Sequence, residues 1–349
     1  MARALLSVAG VIPPDLDAAV AAGLRPRADY RVMAEHFDAD VIDVHAARTE
    51  SGRVGRVIER LAGSGALLAW ACFRRRGRHD VIVTDSEEVG LPLATLLGLV
   101  RRRPRHVMVT HRLSPAKKRW MIRLLRLRRA IDSLVVYSSP QRDVASGLGF
   151  SEDRVHLHPF MVDTAFWRPD AVPRSRRSNQ RPMICSAGQE FRDYPTLLAA
   201  VEGLDLDVVI GAASPWSRRA DTTVGADIPA NVTVSRFDLH QLRQLYADAD
   251  IVVIPLVETD FQAGITTILE AMAMAKAVIV TRTRGQHDTV VEAVTGRYVA
   301  PTAAGELSAI IAELMIDEAQ RKQLGENARR WVETHADIEV YSTSLSMII

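Results

Sequence analysis

The chain has 349 residues, 48% of them hydrophobic and 25% charged, with a formal net charge of +2. That length and apolar content can fill two ordinary domain cores and exclude a disordered or fibrous chain. Cys72 and Cys185 are the only cysteines and show no metal-ligand spacing, which argues against a disulfide framework and for a reducing, cytoplasmic setting. Charge is spread unevenly: residues 1–163 hold 26 Lys and Arg against 18 Asp and Glu, and the remainder 18 against 24. A basic first half suits an anionic surface, either membrane or nucleic acid.

The opening MARALLSVAGVIPPD reads as a first strand, Ala4–Val8, followed by a loop at Gly10, and not as an export signal. No apolar run approaches the roughly 20 residues that span a bilayer. Residues 41–44, 80–84, 107–110 and 134–137 read as further strands, with a helix over 53–62 and a polar set, Asp85, Ser86 and Glu87, after the third strand. His111 directly follows the fourth strand, at the edge where open α/β sheets place ligands; a histidine there serves either structure or orientation of a ligand by hydrogen bonding. The most basic segment, predicted as a helix over 117–131, puts Trp120, Leu124, Leu127 and Ile131 on one stripe, with Lys118, Arg119, Arg123, Arg126 and Arg129 opposite. It is either a membrane-interfacial helix or a core helix with a solvated basic face. Aromatic residues do not interleave with the charge and no recognition module is visible, so nucleic acid is not the expected partner.

A stretch rich in Pro, Ser and Arg, 170–181, reads as a linker. Strands follow at 182–187, Asp207–Gly211 (its exit at 211–214 facing a ligand) and 231–235, with a helix over 239–247. The centre of the second half is IVVIPLVETDFQAGITTILEAMAMAKAVIV, residues 251–280: a buried strand, a polar loop, a helix and a second strand, forming one parallel crossover unit. The amides of Gly264, Ile265 and Thr266 would start that helix and favour a phosphate; alone, the glycine is equally a tight turn. Helices over 306–317 and 318–333 close the pattern, and the alternation of strands and helices predicts an α/β protein with doubly wound sheets.

The run FQAGITTILEAMAMAKAVIVTRTRGQ resembles the donor-site signature of the retaining glycosyltransferases of family four, in which two glutamates flank seven residues before an Ala-Met-Ala helix. Glu270, Ala271, Met272 and Ala273 match its second half, and Gln262 stands at the first glutamate. Val162, Asp163, Phe166 and Pro169 resemble the family's passage between domains. The resemblance implies the GT-B fold, two Rossmann-like domains facing each other across a cleft: an acceptor-binding domain over 1–165, a linker over 166–181, a nucleotide-sugar domain over 182–334, and a tail, 335–349, packing back on the first.

The resemblance further implies a hexosyl transfer from a nucleoside-diphosphate sugar of UDP or GDP type to a lipid-linked, polysaccharide or small-molecule acceptor. Gly188 and Arg192 stand at the family's diphosphate-binding positions, Glu270 is placed to accept the ribose hydroxyls, Gly285 lies under the donor sugar, and His111 lines the sugar pocket. No metal and no cofactor are expected. A basic helix of this domain attaches family members to membranes, which places the chain in the cytoplasm and peripherally on the inner face of the plasma membrane. Gln262, a neutral amide where a carboxylate would stand, leaves open a second reading, a sugar-nucleotide-binding protein without transfer.

Overall fold

A computed structural model describes residues 3–175, 181–212 and 227–349. The chain divides into two compact units, one of residues 1–18, 27–159 and 339–349, the other of residues 19–26 and 160–338. The division falls at Pro159 and Phe160, not at 165, and the segment that joins the first unit starts at Glu339, not at 335. Residues 176–180 of the predicted linker and the strand exit at 213–214 lie outside the described residues.

The first unit holds strands β1 (Ala4–Val8), β2 (Ala39–Asp43), β3 (Val81–Thr84), β4 (Arg105–Thr110), β5 (Ser133–Val136) and β6 (Val155–Leu157), in the order β2-β1-β3-β4-β5-β6. The second holds β7 (Met183–Ala187), β8 (Asp207–Gly211), β9 (Val232–Ser235), β10 (Ile251–Ile254), β11 (Ala277–Thr281) and β12 (Arg297–Val299), in the order β12-β11-β10-β7-β8-β9. Every pairing in both sheets is parallel. Helices cover both faces of such sheets, and this is why β10 is an unbroken apolar run and every residue of β3 and β10 is buried. In each unit the strand order reverses once, between β1 and β3 in the first and between β7 and β10 in the second. Loops leaving the C-terminal ends of those strands diverge there and open a crevice.

Two helical predictions change. The helix over 53–62 is the middle piece of a longer element, Val44–Arg75, which breaks at Gly52 (φ 53) and Gly63 (φ 86). The basic helix does not run from 117 to 131. It ends at Leu124, Arg126 turns into the left-handed region (φ 51), and a short 3-10 turn, Leu127–Arg129, follows. The break resets the rotation along the segment, so the predicted stripe splits: Leu127 and Ile131 join Ile122 in the core, while Trp120 and Leu124 are 65% and 58% exposed.

The start of the second unit is fixed by one cation. The Arg329 guanidinium donates to the carbonyls of Thr164 (3.2 Å), Trp167 (2.6 Å) and Ala273 (2.7 Å). Trp167 itself is 1% exposed and packs on Tyr246 with ring centres 5.6 Å apart. Removing a charged donor from three carbonyls should be expensive, so Arg329→Met is expected to lower stability by about 2–4 kcal/mol. Arg330→Met, on an exposed side chain, should change it by less than about 0.5 kcal/mol. Urea melts of the two variants check this difference.

Candidate functional site

The crevice of the second unit is built around Arg192. Beyond β7 the chain turns at Gly188 (φ +95), whose N–H donates to Gly211 O at 3.0 Å. A Cβ at 188 would collide with the Arg192 guanidinium lying beneath it, so glycine is required twice over, by conformation and by space. Arg192 is 5% exposed and donates from Nε to Ala187 O (2.9 Å), from Nη1 to Glu190 O (3.0 Å) and from Nη2 to Thr267 Oγ1 (3.0 Å). The Tyr194 hydroxyl donates to Gly188 O and closes the turn. Burial pulls the guanidinium below its ordinary value, and Tyr194, Tyr246 and Glu270 oppose that pull.

The loop leaving β10 meets the same cation. Gly264 (φ +74) starts the helix Ile265–Ala273, and a Cβ there would press on Ile254, Leu256 and Arg192. The first amides of that helix, including those of Ile265 and Thr266, have no intrahelical acceptor. One turn further, Glu270 is 7% exposed; its Oε2 accepts from the Tyr246 hydroxyl at 3.1 Å, and its Oε1 has no hydrogen-bond partner among the described residues. Burial pushes the Glu270 carboxyl up to about 8, against the Tyr246 hydrogen bond and the Arg192 charge. Burial thus disfavours the charged carboxylate beside the Arg192 guanidinium.

Gln262 and Gly285 lie on the rim of this arrangement. Gln262 Nε2 reaches Thr289 Oγ1 at 3.5 Å, Thr289 donates to Gln286 Oε1 at 3.2 Å, and Gln286 Nε2 donates to Ala263 O at 3.2 Å. The chain of side chains holds the amide in one orientation and leaves Gln262 Oε1 buried without a partner among the described residues. Gly285 N–H donates to Thr259 O at 2.9 Å, and a Cβ at 285 would run into the Phe261 backbone, so this glycine allows two loops to touch.

Of the residues singled out in the sequence, Gly188, Arg192, Gln262, Gly264, Ile265, Thr266, Glu270 and Gly285 all belong to the second unit, and His111 belongs to the first. His111 stands at the end of β4, its N–H donating to Glu87 Oε2 at 3.0 Å and its Nε2 lying 3.3 Å from Asp85 O. Its ring centre is 5.2 Å from that of Tyr137, whose hydroxyl meets the Tyr341 hydroxyl at 3.0 Å. Two neighbouring carboxyls were not singled out. Asp85, at the crevice of the first unit, accepts from Ala9 N–H at 2.7 Å, and burial pushes it up to about 7, opposed by that bond and assisted by Asp29. Burial also raises Asp29. Asp85 did carry a signal, as the first polar residue after a buried strand; Asp29, far away in sequence, carried none. No group of residues that could hold a metal ion occurs among the described residues.

Residues 208–331 match the family described as Glycosyl transferases group 1. That segment of the second unit is thus similar to a group 1 glycosyltransferase domain. That match ends within the helix Glu318–His335, past Arg329, and includes Gln262, Gly264, Glu270 and Gly285. A curated relative, the MMP alpha-(1->4)-mannosyltransferase of Mycolicibacterium hassiacum, is 25% identical over 279 residues, covering 73% of this chain and 66% of the relative, just under two thirds of its length. Among solved structures, Anabaena HepE in complex with UDP-glucose superposes with a TM-score of 0.70 at 15% identity, covering 100% of this chain and 99% of HepE. The sucrose-phosphate synthase of Thermosynechococcus elongatus gives 0.72 at 16% identity, covering 100% and 98%. The fold is thus GT-B, with two parallel six-stranded sheets among the described residues.

The raised Glu270 carboxyl has a consequence for stability. Its folded value, about 8, exceeds the ordinary carboxyl value, so its contribution is fully present below the unfolded pKa and is lost as pH rises toward and through 8. Glu270→Gln, which keeps the shape in neutral form, should remove that loss. Thermal melts from pH 5 to 8 should show the parent losing about 1 kcal/mol per pH unit more than the variant.

Proposed function

We propose that the chain is a glycosyltransferase that moves a hexosyl group from a nucleoside-diphosphate sugar, UDP- or GDP-linked, to an acceptor hydroxyl with retention at the anomeric carbon. The observation that carries this reading is the buried Arg192 guanidinium packed against the helix start at Gly264, Ile265 and Thr266, in the crevice where Glu270 Oε1 has no hydrogen-bond partner among the described residues. A buried cation and a helix N-terminus together favour a diphosphate, which is the charge that develops as the sugar leaves. Gly188 and Gly264 let backbone come close to it. Glu270 Oε1 takes a ribose hydroxyl. The relative's printed name, a mannosyltransferase, and the UDP-glucose complex of HepE support this class of donor.

In the proposed reaction the bond from the anomeric carbon to the diphosphate oxygen breaks while the acceptor oxygen bonds on the same face. The acceptor proton passes to the departing phosphate. No enzyme nucleophile and no metal are called for. Gln262 Oε1, buried and unpartnered, accepts a donor-sugar hydroxyl, a role that a neutral amide fills as well as a carboxylate does. His111 acts by hydrogen bonding, with its ring held through Glu87 and Asp85 O. Trp120 and Leu124, exposed beside Arg119 and Arg123, are suited to peripheral contact with an anionic membrane face; among the described residues no helix is long and apolar enough to cross a membrane.

Gln262 also favours a second reading, a sugar-nucleotide-binding protein without transfer, because an amide cannot offset the positive charge of an oxocarbenium-like transition state. Release of nucleoside diphosphate from a panel of UDP- and GDP-sugars separates the two. Transfer predicts slow hydrolysis of one donor without acceptor, reduced about a hundredfold in kcat by Gln262→Ala. Donor binding without release from any sugar nucleotide would establish the second reading instead.

A further inference from the structure

Two arginine runs stand in the connections that lead from helices into neighbouring strands of the first unit: Arg74, Arg75, Arg76 and Arg78 before β3, and Arg101, Arg102 and Arg103 before β4. Those strands pair in parallel, Val81 opposite Arg105, so the two runs meet at the N-terminal end of the sheet. A pocket of about 510 Å³ lies there, with Arg74, Arg76, Arg102 and Arg103 in its lining beside His79 and Asp80. His111 follows the other end of β4, six residues and roughly 20 Å along the strand from Arg105. The pocket is therefore separate from the crevice at the C-terminal ends of β1 and β3.

The charges in this pocket do not cancel. Arg103 is paired with Asp132, Nη2 to Oδ1 at 3.0 Å. Asp40, close by, is taken up by His79, whose Nε2 lies 2.8 Å from its Oδ2. Asp80 is the only carboxylate in the lining, and its Oδ2 accepts the Arg3 N–H at 2.9 Å. Arg74, Arg76 and Arg102 have no ion pair among the described residues. Two of these heads are nevertheless held in place. Arg74 Nη1 donates to Glu50 O at 3.0 Å, and Arg76 Nη1 donates to Phe73 O at 2.9 Å with its guanidinium 4.1 Å from the Phe73 ring centre. A carbonyl fixes a guanidinium without neutralising it, and each fork keeps further N–H donors. Like charges gathered on one concave surface repel, a cost that a bound anion removes.

We propose that this pocket binds a small soluble anion carrying two or three linked phosphate groups. Once Asp132 and Asp80 are set against the four arginines, two positive charges remain, and guanidinium forks match phosphate oxygens in pairs. The volume is that of a small-molecule site. Gly77 and Pro104 complete the lining, so it holds no Phe, Tyr or Trp ring on which a base could stack and no large apolar side chain to enter a bilayer. Charge without stacking or apolar surface favours a free oligophosphate over a nucleic acid or a membrane face. The site stands whether or not the second unit transfers sugar.

Calorimetric titration of the full chain with sodium tripolyphosphate tests this. The parent should bind it, and Arg192→Met, which removes the cation of the second unit's crevice, should keep a site of the same affinity. Arg76→Gln combined with Arg102→Gln should weaken that site at least tenfold, since each removes a charged donor. Asp80→Asn, which deletes the carboxylate of the lining but keeps an acceptor for the Arg3 N–H, should tighten it about threefold or more. No binding to the parent, affinity unchanged in both the double variant and Asp80→Asn, or loss of all binding in an Arg192→Met chain that still melts cooperatively would overturn the proposal. Binding confined to phosphatidylglycerol vesicles or to single-stranded RNA, with none of tripolyphosphate, would overturn it as well.

Discussion

The second unit depends on one buried guanidinium. Arg192 bonds the end of β7, its own loop and Thr267 of the helix that follows β10, so it ties together the two loops that diverge at the reversal of strand order. Placing a cation where it is 5% exposed costs several kcal/mol of desolvation, recovered only when its donors find acceptors. Three of its nitrogens do so on protein oxygens, two of them neutral carbonyls and one a hydroxyl. None of these cancels the charge. The site is thus held in tension, with geometry satisfied and electrostatics left open for an anion.

Glu270 explains why that opening persists. Its nearness to Arg192 would ordinarily produce a buried ion pair, but burial raises the carboxyl to about 8 and Tyr246 donates to only one of its oxygens. In the proposed donor complex a diphosphate would meet the Arg192 guanidinium and the first helix amides, and the second oxygen of Glu270 would remain for a hydroxyl. In the first unit the corresponding crevice, between β1 and β3, carries the opposite character: Asp85, pushed up to about 7, and Asp29 stand near His111. The two crevices therefore differ in charge character, although both arise from the same strand–helix repeat.

Much of this was legible in the sequence. Strands buried on both faces are continuous apolar runs, so β10 declares itself, and the glycine before Ile265 marks both turn and helix start. Glu270 and Gly285 were found through resemblance, not periodicity. The length of the basic helix was overestimated because a helical wheel assumes unbroken rotation; the left-handed turn at Arg126 leaves no clear mark in the sequence, and it separates Leu127 and Ile131, in the core, from Trp120 and Leu124, on the surface. Arg192 was legible as a charge but not as a buried one, since burial follows from Thr267 and Glu190 O converging from elsewhere. Asp29 and the arginine pocket before β3 and β4 are products of tertiary arrangement, which residues far apart in sequence do not announce.

The central claim, that the Arg192 charge and its three bonds create the donor site, is tested most directly by calorimetric titration of UDP and GDP into the parent chain, Arg192→Lys and Arg192→Met. The account predicts that one nucleoside diphosphate binds the parent, that the lysine variant, with charge but no fork, binds it within about tenfold, and that the methionine variant loses at least a hundredfold while still melting cooperatively. Equal affinity in the parent and in Arg192→Met would contradict it.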